Sequence, residues 1–320
     1  MTQPNARNME QSRQYVAGTF RMPFGLAPFN APPIEWHYTN ILCRLSMRPA
    51  LPPHLPATKG FREDRLYDIY AEYVEKYGNQ SAQAALKNGD QVIIGLRIET
   101  NTRSSRGYGL YDDRLAIIWR ENSRQAKPGY GCTPGGQQTG FIKHGADFVA
   151  NTEPSAYYEE PATHVKSIVS KKTGKLIQVK VADRIIGPDG QEVISHPQHK
   201  WEGRDVNKDG RLDLGRLVPG TYKFYKGKAF HFAAALRPTG LQTVQRDINH
   251  DGWFTHDDIW HTGQGDTIFE TGDFGILFHR GGKIGTGSGG CQTLPPIEHS
   301  RFFITLKKQN EYYYVLVTLK

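Results

Sequence analysis

Residues 274–293 read FGILFHRGGKIGTGSGGCQT, and they hold the residue types best suited to chemistry in this chain of 320 residues. An apolar run, Phe274–Phe278, delivers His279 at its end. A glycine-rich loop follows and closes on Ser288-Gly289-Gly290-Cys291. A thiol needs a base to become a thiolate, and an imidazole beside it can take that proton and later hand it to a leaving group. Glycines around a nucleophile let backbone approach a substrate, and successive N–H groups can face a developing oxyanion. Cys291 therefore reads as nucleophile, His279 as its base, and the Gly290 and Cys291 amides as oxyanion donors. Ser288 and Gly289 shape the turn. The competing reading is a buried structural cysteine after a flexible loop. The joint H-x-G and S-x-G-C pattern favours chemistry over that alternative.

Two Asp-rich loops form a second group. In DINHDGWFTHDD, residues 247–258, Asp247, Asn249 and Asp251 take loop positions 1, 3 and 5, with Gly252 at 6. Trp253 offers a carbonyl at position 7, Thr255 stands at 9, and Asp258 supplies a carboxylate at 12. Alternating oxygens with a glycine at the sharp turn are the spacing of a calcium loop. Residues 205–216, DVNKDGRLDLGR, repeat the start with Asp205, Asn207, Asp209, Gly210 and Asp213, but Arg216 at position 12 cannot ligate a cation. Tight turns in which Asn, Asp and Gly satisfy their own backbone are the alternative for both segments. The expected role is a structural Ca²⁺ that stiffens a loop near the active site.

The other candidates are weaker. His231 lies in a β-like run and either lines the cleft or packs. Trp201, Trp253 and Trp260 either stack on sugars or fill the core. Cys43 and Cys132 have no neighbouring motif and read as non-catalytic, and an odd number of thiols leaves at least one unpaired. Pro197 between His196 and His199 argues against helical zinc-ligand geometry.

The H-R-G-G…S-G-G-C segment resembles the catalytic domain of the L,D-transpeptidases (the YkuD-type family), whose signature is a His-Gly pair followed by S-x-G-C. The resemblance implies Cys291 as nucleophile, His279 as base, Gly290 at the matching glycine, and no catalytic cofactor. It also implies a β-sandwich or barrel-like catalytic domain. The implied substrate is a peptidoglycan stem peptide, attacked at the L-to-D bond to form a thioester that passes to an amine or to water. Arg280 stands where a glycine normally follows the histidine, with Gly281 one place late. Gln292-Thr293 replaces the family's aliphatic residue and Arg or Asn. Arg280 or Arg301 then becomes the substitute for carboxylate recognition, with Gly281 and Gln292 as further substrate contacts.

Such a pair needs strands to hold it. Beyond residue 90 the chain breaks into short β-rich runs: Val92–Ile98, Leu115–Trp119, Val165–Val169, Leu176–Val181, Tyr222–Phe224, Leu241–Val244, Phe274–Phe278, Phe302–Leu306 and Tyr312–Leu319. Gly, Asn and Asp turn signals separate many of them, which predicts a mainly β, antiparallel domain over 91–320. Residues 61–90 carry the helical signal. Leu66, Ile69, Tyr70, Tyr73, Val74 and Tyr77 form one stripe over 62–77, and a shorter helix runs on to 87. Residues 1–60 hold nine of the 19 prolines and read as an extended arm for packing or docking. The segment 123–140 reads as a flap.

Composition sets the outer limits. An apolar fraction of 38% with 11% aromatic residues supplies a packed core and excludes wholesale disorder. No run of about 18 apolar residues is present, so no membrane span is expected. The first residues lack the apolar stretch of an ordinary secretory signal peptide. A net charge of +8 suits an anionic partner, and the scattered basic residues do not choose between nucleic acid and an acidic wall polymer. The resemblance implies that choice: a peptidoglycan stem peptide and no nucleic acid. A wall substrate without a signal peptide implies a chain made in the cytoplasm and delivered to the periplasm or wall, as an antibacterial effector with an immunity protein or as a phage enzyme. The rival readings are a cysteine amidase or endopeptidase, and a calcium-stabilised glycan-binding module.

Overall fold

The computed structural model describes residues 54–122, 140–195 and 202–319. Most of the expected arm, the 123–139 part of the expected flap, Cys43, Cys132, His196, His199 and Trp201 lie outside the described residues. Helix α1 spans Glu63–Tyr77 and buries Leu66, Tyr67, Tyr70, Val74 and Tyr77, close to the expected stripe. Asn79 then opens α2, Gln80–Asn88, by accepting the Ala82 N–H on its side chain at 2.9 Å.

The strands follow in chain order. The first five are β1 (Val92–Ile98), β2 (Asp113–Asn122), β3 (Phe141–Ala150), β4 (Thr163–Val169) and β5 (Leu176–Ala182). Further along come β6 (Gly215–Leu217), β7 (Gly220–Ala229), β8 (Phe232–Pro238) and β9 (Gln242–Arg246). The last group is β10 (Trp260–His261), β11 (Asp266–Thr267), β12 (Phe269–Gly272), β13 (Phe278–Arg280), β14 (Gln292–Leu294) and β15 (Tyr312–Leu319). Helix α3, Pro296–Thr305, precedes β15.

Eight strands form one sheet in the order β14-β13-β8-β7-β15-β1-β2-β3, and a three-stranded sheet runs β12-β9-β6. Period-two alternation explains how β1 is buried on both faces. Val92, Ile94 and Leu96 pack under α1 and α2 with Val315 and Val317. Ile93 faces the other core with Phe224, Phe278, Phe302 and Tyr314, where Leu217 and Val244 of the smaller sheet also enter. Helices α1 and α2 belong to the same compact unit as the strands, which runs from Ala50 onward. No helix among the described residues is long and apolar enough to cross a membrane.

The mainly β expectation holds; four details change. The large sheet is mixed, because β1 runs parallel to β15 and β13 parallel to β14. It does not close into a barrel: edge strands β14 and β3 meet through the single bridge Asn151–Thr293. The run Phe302–Leu306 is not a strand but mostly the second half of α3, where Pro296 at the first turn and burial of His299, Phe302 and Phe303 at helical spacing override β-prone side chains. The expected strand Phe274–Phe278 joins a ladder only at Phe278. Before it, the Gln242 side chain replaces a neighbouring strand, donating to the Ile276 carbonyl at 3.0 Å and accepting its N–H at 2.9 Å.

Candidate active site

Register places the two expected reactive groups on one face of adjacent strands. In the parallel pair β13–β14, Phe278 stands opposite Gln292 and His279 opposite Thr293. Cys291 therefore falls beside Leu277, whose N–H reaches its Sγ at 3.4 Å. Alternation then sorts the faces. Phe278 and Gln292 turn into the core, where Gln292 Oε1 accepts the Tyr314 hydroxyl at 2.8 Å. Leu277, His279 and Cys291 turn the other way. His279 and Cys291 both line a cavity of about 920 Å³.

The local geometry assigns the imidazole tautomer. His279 Nδ1 lies 3.0 Å from the Arg280 carbonyl oxygen, which can only accept, so Nδ1 carries the proton and Nε2 the lone pair. The ring stacks on Phe232 at 4.1 Å between centroids. Burial pushes its pKa down to about 4, against the Arg280 carbonyl and helped by His299 and His231. Burial likewise pushes the Cys291 thiol up to about 11; the Leu277 N–H opposes this and Glu202 adds to it. Both groups are therefore neutral at rest, a thiol and an imidazole and not a preformed ion pair.

The turn that carries the thiol is held from within. Ser288 is fully buried; its hydroxyl donates to the Cys291 carbonyl at 2.7 Å and accepts the Gly290 N–H at 3.1 Å. That bond already uses the Gly290 amide, so of the two amides expected to face an oxyanion only the Cys291 N–H has no partner among the described residues. Gly290 has φ +131°, and a Cβ there would collide with the Gly215 carbonyl at the start of β6. The turn thus rests on the backbone of β6.

The other expected substrate contacts divide. Arg280, Gly281 and Gly289 line the cavity. Gln292 does not reach it, because alternation sends its side chain into the core. Arg301 lies on the outer face of α3, paired with Glu298 at 2.7 Å, and is not among the lining residues. Among the residues expected to bind substrate, Arg280 is the cation left for a carboxylate. His231 lines the cavity, and so do Tyr158, Glu202, Phe232 and His299, which carry no sequence motif. Chain folding alone brings Tyr158 and Glu202 near Cys291.

Both Asp loops adopt one hydrogen-bonding scaffold. In 247–258, Asp247 accepts the Asp251 and Gly252 N–H groups at 3.1 and 3.0 Å, Asn249 accepts Asp251 at 3.0 Å, and Asp251 accepts Trp253 at 2.7 Å. Asp258 closes the loop by accepting the Ile248 and Thr255 N–H groups at 3.1 and 2.8 Å. Thr255 Oγ1 accepts the Asp257 N–H at 3.3 Å, and its carbonyl is taken by Gln245. Burial among Glu159, Asp258 and Asp251 pushes Asp247 up to about 8. In 205–213, Gly210 donates to Asp205, Asp209 to Asn207, Arg211 to Asp209, and Val206 to Asp213, at 2.8 to 3.1 Å. Here Asp205 Oδ1 and Asp213 Oδ1 are left without a hydrogen-bond partner.

No family model, curated protein or solved structure matches the chain. The likeness to L,D-transpeptidases rests on residues 279–293 themselves.

Proposed function

We propose that this chain is a cysteine-dependent acyl-transfer enzyme of the L,D-transpeptidase type, acting on peptidoglycan stem peptides. The observation that carries the reading is the register of β13 and β14: it puts His279, with Nε2 left as a lone pair, and Cys291 on one face of adjacent strands in one cavity. His279 Nε2 takes the thiol proton as Sγ attacks the stem-peptide carbonyl. The Cys291 N–H faces the oxyanion, and the imidazolium returns the proton to the leaving amine. Water or an amine then resolves the thioester, with the same imidazole as base. Arg280 at the cavity mouth suits a stem-peptide carboxylate. The β-sandwich of that family is part of the proposal, its layers being the eight-stranded sheet and β12-β9-β6 over a shared core. Such a substrate lies outside the cytoplasm, so the reading includes delivery to the wall, and an immunity protein if the chain is an antibacterial effector.

The test is digestion of purified muropeptides, read by product mass. Cys291→Ala is expected to lower turnover by about 10³-fold or more while melting stays within a few degrees of wild type. Loss or exchange of a terminal D-residue supports the reading. Release of the whole stem peptide makes the enzyme an amidase. Retained wall activity in Cys291→Ala leaves only a binding module.

A further inference from the structure

The two Asp loops converge on one imidazole. His250 belongs to the 247–258 loop, yet its Nε2 points into the 205–213 loop, 3.4 Å from Asp209 Oδ2 and 3.3 Å from Asp213 Oδ1. One ligand-capable atom from each of the three residues lies within 4.8 Å of the other two. Asp213 is 0% exposed and His250 5% exposed. Neither Asp213 Oδ1 nor His250 Nε2 has a hydrogen-bond partner, and Asp205 Oδ1 on the same loop also lacks one. Asp213 and Asp205 each spend one oxygen on a backbone N–H, which fixes the carboxylate and leaves its Oδ1 without a partner, while Asp209 accepts the Arg211 N–H on one oxygen and the Asn207 amide on the other.

Buried acceptors aimed at one point need a positive centre. A neutral imidazole is the form that ligates metals.

We propose that Asp209, Asp213 and His250 hold a divalent cation that ties the 205–213 loop to the 247–258 loop. The mixed oxygen and nitrogen donor set suits a first-row ion such as Mn²⁺ or Zn²⁺ better than Ca²⁺, which takes oxygen ligands. The site stands close to the support of the nucleophile. Glu202, just before this loop, lines the catalytic cavity, and Gly215, just after it, carries the carbonyl on which Gly290 rests. A cation here stiffens the segment between them. This does not depend on acyl transfer, since binding is read without substrate.

The experiment is to strip the full chain with chelator and titrate it separately with Mn²⁺, Zn²⁺ and Ca²⁺ by calorimetry, with melting followed in parallel. The titrations are repeated in Cys291→Ala so that zinc taken by the thiol is not counted. We expect one Mn²⁺ or Zn²⁺ per chain, bound at least about tenfold tighter than Ca²⁺, and a melting temperature raised by the ion. Asp213→Asn and His250→Ala should each weaken binding by about tenfold or more. Asp209→Asn replaces either variant if its circular dichroism shows it unfolded. The proposal is overturned if no ion binds more tightly than about 100 μM, if Ca²⁺ is preferred, or if His250→Ala binds as wild type does.

Discussion

His279 and His250 are both buried, both neutral, and both pushed down to about 4 by the same desolvation. Their surroundings separate them. His279 opens onto a large cavity, with Nδ1 tied to a backbone carbonyl and a thiol on the same face. His250 faces two carboxylates, and the Asp213 Oδ1 beside its Nε2 has no hydrogen-bond partner. Burial alone makes an imidazole a lone-pair donor; what faces the lone pair decides whether it takes a proton or holds a cation.

The largest expected effect concerns the neutral state of His279. Below pH 6.5 the unfolded chain gains a proton on this ring, whereas the folded protein gains it only near pH 4. A depressed histidine pKa therefore costs stability as pH falls through that window, by about 3 kcal/mol when complete. His279→Gln removes the penalty. Melting of wild type and variant compared from pH 7 to 4 should show wild type losing ground steadily. Curves that stay parallel would mean that His279 takes its proton at the ordinary histidine pKa, which breaks the comparison with His250.

Next is the turn. Gly290→Ala forces the Gly215 carbonyl and Cys291 apart, and about 1 Å of displacement should lower kcat/KM by about 10²-fold. Gly289→Ala serves as its contrast, because the Cβ there meets the Glu202 side chain at 2.7 Å, and a side chain can move. Equal losses in the two variants would show that contact with β6 does not position the nucleophile.

The smallest effect tests the thiol. Glu202 raises the Cys291 pKa through its charge. Glu202→Gln should speed alkylation of Cys291 at pH 8, read on its own peptide, by about two- to threefold, and less at high salt. An unchanged rate would leave desolvation as the sole reason that the thiol is neutral.

Much of the scaffold was legible in the residues. The stripe Leu66, Tyr70, Val74 and Tyr77 specifies α1, and the near-continuous apolar runs Val92–Ile98 and Tyr312–Leu319 specify central strands. The misread run Phe302–Leu306 shows the limit of local propensity: its aromatics suit a strand or a buried helix face equally, and Pro296 six residues earlier decides. In the Asp loops, the longer ligand pattern is at 247–258, yet the carboxylate oxygens of Asp247, Asp251 and Asp258 all accept hydrogen bonds inside the loop. The unpartnered oxygens are at 205–213, the segment whose position 12 is Arg216. Spacing counts donors; it does not tell where each oxygen points.

By itself the sequence determined the reactive types: one cysteine behind glycines, one histidine at a strand end, two Asp-Gly loops, and a β-rich core. Only tertiary structure decided their partners. The parallel register of β13 and β14 puts thiol and imidazole on one face, Gly215 supports Gly290, and His250 crosses from one loop into the other. Those contacts join residues distant in the chain, and solvent exclusion around them sets the protonation states, so no local pattern encodes either.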